Sequence, residues 1–75
     1  MREEMKRFFD ENERWLTTTL EQGRQTKELS FTGPAYEVAR ALIGSLEGAM
    51  MLARSYGDVA RFQSAADRML AALSA

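Results

Sequence analysis

Read at 100° per residue, the apolar positions of this 75-residue chain gather into helical stripes, and no stretch alternates with the period of a strand. In the first stripe stand Met1, Met5, Phe8, Phe9, Trp15, Leu16 and Leu20, with Asn12 and Thr19 set among them. In the last, Val59, Phe62, Ala66, Met69, Leu70 and Leu73 span about 100°, with Arg61 and Arg68 on the far side. Glycine and proline place the breaks. A first helix over about 2–22 stops at Gly23; a second over about 34–56 opens at Gly33-Pro34; a third over about 58–74 follows Gly57. Pro34 suits a first helical position, where its missing N–H is no loss. Gly57 suits a left-handed cap, and Asp58 suits the N-cap of the third helix. The intervening loop, Gly23 to Gly33, offers Leu29 and Phe31 as anchors. The expectation is an all-α chain of three helices, an antiparallel bundle fragment.

The second helix differs from its companions. Val38, Ala39, Leu42, Ile43, Leu46, Ala49, Met50, Ala53 and Tyr56 cover one broad face, and Ala41, Gly44, Ser45, Gly48 and Leu52 continue it around the other flank. Glu37, Arg40, Glu47 and Arg54 occupy only about 100° of the circumference. A helix apolar or small over most of its surface is a buried one, and two neighbours are too few to cover it. Gly44 and Gly48 add to this. Each glycine inside a helix costs about 1 kcal/mol relative to alanine, so a pair one turn apart asks for a reason. Close approach of another backbone is one reason, from a second subunit or from this chain; simple tolerance is the other.

Composition narrows the function. So short a chain rarely draws more than about 3–5 kcal/mol from one core and usually needs a staple. The chain has no Cys and no His, which removes disulfides, thiolate metal sites, the commonest metal ligand and the usual general base. No cofactor and no metal is expected, no catalytic constellation is visible, and oligomerisation is the staple left. The net charge of −1, with ten basic and eleven acidic residues interspersed, gives no basic stripe for phosphate contacts. On the first helix Glu3 with Arg7, and Asp10 with Arg14, read as acid-first surface pairs. No uncharged stretch approaches the roughly 20 residues of a bilayer span, and the charged run Arg2 to Arg7 does not read as a signal peptide. The reading is a soluble, cytoplasmic protein.

Two further groups are candidates for contact with ligands, a cluster on the first helix and the methionines Met50, Met51 and Met69, which suit the lining of a promiscuous pocket. Phe8, Asn12, Trp15 and Leu16 on the first helix, with Met50, suit a pocket for a small apolar effector, Asn12 orienting it by hydrogen bonding. Against this stands plain packing: an Asn satisfied by backbone or water, and Met50, Met51 and Met69 as adaptable fillers.

The run from Ala39 to Arg54, with Leu46-Glu47-Gly48-Ala49 followed by Met50-Met51-Leu52 and Ala53-Arg54, resembles the penultimate helix of many tetracycline-repressor (TetR) family regulators. Gly57-Asp58, Arg61-Phe62 and Met69-Leu70 to Leu73 resemble the linker and final helix of the same domain. Phe8-Phe9, Trp15-Leu16, Gly23 and Glu28-Leu29 resemble the helix and loop before it. The resemblance implies a homodimer through a four-helix interface, two helices from each subunit, and with the wheel it nominates Ala41, Gly44, Ser45, Gly48, Leu52, Phe62 and Met69 as contacts. It also implies the dimerising, ligand-sensing C-terminal part of a transcriptional regulator, unable to bind DNA by itself. The helix-turn-helix part of the family does not precede Met1, so an expression fragment or a truncated gene product is expected. The alternative is a free-standing helical module that binds a different protein through the same apolar face.

Overall fold

The computed structural model describes residues 2–74 and is built of three helices, α1 (Glu3–Gln25), α2 (Ala35–Tyr56) and α3 (Val59–Leu73). The all-α expectation holds. α2 is the middle element: α1 and α3 both pack on it, and they make no helix-to-helix contact with each other. The result is a slab 38 × 31 × 15 Å across with a radius of gyration of 13.5 Å, where about 11 Å is typical of 75 residues.

Burial is concentrated at one end. Leu20, Ala35 and Ala39 form the core, joined by half-buried Leu16, Leu29, Phe31, Val38, Leu42 and Leu73. Ala53, under the α2–α3 turn, is the remaining buried hydrophobic among the described residues, so Leu20 is the one large side chain in the set. The loop ties this end together. Leu29 and Phe31 pack onto the core as expected, Arg24 Nη1 donates to the Gly33 carbonyl at 2.8 Å, and its guanidinium lies 4.2 Å from the centroid of Phe31. Ser30 N–H donates to the Leu73 carbonyl at 2.8 Å, and Leu29 bridges to Ser74. That clasp joins the loop to the end of α3.

Helix ends differ from the sequence reading in two places. α1 does not stop at Gly23 but runs to Gln25, and the left-handed residue is Lys27, at φ 66°. Gly23 instead gives room to Leu29, which packs where a side chain would project. Pro34 lies one residue before α2, as its cap rather than its first residue, and its carbonyl accepts from Glu37 N–H at 3.1 Å. At the α2–α3 turn Gly57 takes the left-handed conformation, and the Asp58 side chain accepts from Ala60 N–H at 3.1 Å.

The surface stands out in area. The chain exposes 5894 Å2, whereas a folded monomer of 8.5 kDa exposes about 4,700 Å2, an excess of roughly 1,200 Å2.

Candidate functional site

Three surfaces leave apolar or small side chains open to solvent. The first is the outward side of α2. The buried alanines Ala35, Ala39 and Ala53 lie on one line of the helix, and Gly44 and Gly48 lie about 180° away. Nothing comes within 4 Å of the point where a β-carbon on either glycine would sit. No neighbour among the described residues therefore accounts for them, which removes one of the explanations open at the outset. Ala41, Ser45 and Leu52 are exposed beside them, toward α3.

There the α2–α3 seam continues as two shallow hollows. One, of about 380 Å3, is lined by Ala41, Leu42 and Ser45 of α2 and by Met69 and Ala72 of α3, among others. The second, of about 490 Å3, lies nearer the turn and includes Ala49, Leu52, Ala65 and Arg68. Small side chains on both helices leave room for another chain's larger ones. Met69 is half-buried in this seam. Phe62, also half-buried, lies instead beside Met50 in a separate hollow at the turn.

The second surface is a flank of α1. The single stripe read from the sequence divides in two. Leu16 and Leu20 pack on α2 and Phe9 is half-buried, whereas Met5, Phe8 and Trp15 are exposed, Trp15 to 67%. The division follows from phase: Phe8, Asn12 and Trp15 share an arc of about 60° centred roughly 110° from Leu20. Met1 lies outside the described residues. Asn12 is exposed, and its amide donates to the Phe8 carbonyl at 2.8 Å, one turn back on its own helix. Of the five effector candidates, Phe8, Asn12 and Trp15 thus share the open flank, Leu16 sits in the core margin, and Met50 is on α2.

The third surface is the turn-end hollow of about 420 Å3, lined by Met50, Ala53, Arg54, Gly57, Asp58, Val59 and Phe62. Val59, expected inside the α3 stripe, is 72% exposed here, and Leu70 is exposed further along α3. Both stay open because a stripe of about 100° is wider than the arc that α3's one helical neighbour, α2, covers.

Charge chemistry is confined to surface pairs. Asp10 pairs with Lys6 at 3.2 Å, one turn back, and among the described residues neither Glu3–Arg7 nor Asp10–Arg14 comes within 4 Å. The shortest pair was not foreseen: Arg40 Nε donates to Glu13 Oε1 at 2.7 Å and links α2 to α1. No periodicity within one helix signals a pair 27 residues apart. Among the described residues, no group of three or more acids is placed to hold a metal ion. Nor is any helix long and apolar enough to cross a membrane.

A three-helix chain with a small core and three open surfaces leaves much apolar side chain for something outside the chain to cover. The model of the tetracyclin repressor-like C-terminal domain matches residues 1–69, and the chain belongs to that family. Such domains are parts of regulators, not enzymes, and serve ligand binding and dimerisation. No curated protein matches the chain, and no solved structure does.

Proposed function

We propose that this chain is the dimer-forming and ligand-contacting portion of a tetracycline-repressor-like regulator, and that two copies join through α2 and α3. The observation that carries this reading is the open line of Gly44 and Gly48, opposite the only buried line of α2. A second copy laid there fills the seam hollows with its own side chains and brings backbones close where the glycines allow it. Area agrees: the excess of roughly 1,200 Å2 exceeds the ~800 Å2 that each partner contributes to a standard interface. Ala41, Gly44, Ser45, Gly48, Leu52 and Met69 form the contact, with Phe62 on the inner side of α3 supporting it.

The flank of α1 carrying Phe8, Asn12 and Trp15 meets the effector, an apolar molecule, with Leu16 at the core margin beside it; Met50 belongs to the separate hollow at the turn. Reading of DNA does not belong to these residues, because the charge is balanced and no basic stripe marks a phosphate track.

Sedimentation of the chain at micromolar concentration tests the dimer, with the double variant Gly44→Leu/Gly48→Leu as comparison. The expected result is a dimer for the parent chain and a folded, helical monomer for the variant, since a β-carbon at either position has nothing within 4 Å. A parent chain that sediments only as monomer overturns the reading.

A further inference from the structure

We propose that the hollow at the α2–α3 turn is a binding site for a small amphipathic monocarboxylate, its tail on Met50, Val59 and Phe62 and its carboxylate on Arg54. The inference rests on the ligand-sensing half of the reading above and narrows it to one chemical class at a place apart from the α1 flank.

The lining has the make-up of a ligand site. Ala53 is buried in the lining, Met50 and Phe62 are half-buried, and Val59 stands open to solvent, so a ligand's apolar body covers surface that the chain leaves wet. The volume, about 420 Å3, sits in the lower part of the range of roughly 300–1,000 Å3 usual for small-molecule sites. Methionine adapts its shape to a varied tail.

The polar groups decide the ligand's charge. Asp58 is already engaged: one carboxylate oxygen accepts from Ala60 N–H at 3.1 Å and the other lies 3.8 Å from Arg61 Nε. Arg61 is further held over the Tyr56 ring, 3.7 Å from its centroid. Arg54 is different. Among the described residues no carboxylate lies within 4 Å of it, and its one hydrogen bond goes to the Met50 sulfur at 3.1 Å, a weak acceptor. The guanidinium therefore keeps most of its donors free at the rim of an apolar hollow, in the fork geometry that matches a carboxylate. A neutral ligand of the same shape leaves those donors unused; a cationic one meets Arg54 with like charge.

Amide NMR of the full chain, titrated with octanoate and separately with octanol, tests this. Octanoate should shift the amides of Met50, Ala53, Val59 and Phe62 and bind more tightly than octanol. Arg54→Gln should weaken octanoate about tenfold and leave octanol unchanged, the size expected for one lost charge-assisted contact. Arg40→Gln, a guanidinium elsewhere on α2, should change neither. Shifts centred on Phe8 and Trp15 overturn the proposal and leave the α1 flank as the ligand surface. Equal binding by the Arg54 variant also overturns it. No binding of either probe anywhere overturns both this proposal and the ligand-sensing reading.

Discussion

Leu29 lies across Gly23 so closely that a β-carbon on the glycine would sit 2.7 Å from the leucine Cγ and 3.3 Å from its Cβ. Leu29 is in turn packed on the Leu20, Ala35 and Ala39 core and is not free to step aside. Gly23→Ala should destabilise the chain by up to about 2 kcal/mol, overpacking outweighing the gain of roughly 1 kcal/mol in helix propensity. Urea unfolding measures the difference. A variant as stable as the parent would mean that the loop re-packs freely.

Gly44 and Gly48 should behave in the opposite way. Both sit inside α2 with open space beyond them. Alanine at either position should stabilise the monomeric fold by up to about 1 kcal/mol. Thermal unfolding at concentrations low enough to hold the chain monomeric reads this gain, and a loss there would place an unseen intrachain neighbour over the glycines.

Lys27 supplies a third case. It holds φ 66° in the turn after α1, a conformation that strains any residue with a β-carbon. Lys27→Gly should raise stability by roughly 0.5–1 kcal/mol, the relief of strain exceeding the glycine's greater freedom when unfolded. A destabilised variant in the same urea experiment would show that Lys27 makes contacts in solution that offset the strain.

Trp15 is the sole tryptophan and therefore a clean reporter of the α1 flank. At 67% exposure it should emit as an indole in water, and Trp15→Ala should cost less than about 0.5 kcal/mol. Strongly blue-shifted emission from the chain alone would contradict an open flank. Addition of an apolar effector to that flank should shift the emission to shorter wavelength.

The helical class and the α2–α3 turn were legible because Gly57 and Asp58 act through local sterics and capping, which a sequence displays directly, and Pro34 marked the start of α2 to within one residue. Gly23 misled for the same reason that Lys27 was missed. A glycine near a helix end signals a stop only when it takes the left-handed conformation, and here a tertiary contact from Leu29 claimed it instead. The stripe of α1 was too broad because periodicity reports which residues are apolar, not how much of their arc a neighbour reaches. One neighbour covers Leu16 and Leu20 and leaves Phe8 and Trp15 open. Arg40 and Glu13 were beyond reach, since their pairing depends on the register between two helices. The glycine line of α2 was legible, and what the structure added is that nothing among the described residues occupies it.

The clasp between Ser30 and Leu73 has a mechanical meaning. It fastens the three helices at the core end, while α1 and α3 stand apart along their lengths. α3 is thereby held at both ends, by the clasp at Leu73 and by the capped turn at Gly57 and Asp58, whereas the start of α1 is tied to nothing but its packing on α2. A tilt of about 3° at the core end carries the tip of a 23-residue helix, roughly 35 Å long, through about 2 Å. A wedge lodged near Phe8 therefore works on a long lever, and the strain it creates is delivered to the packing of Leu20 and Leu29.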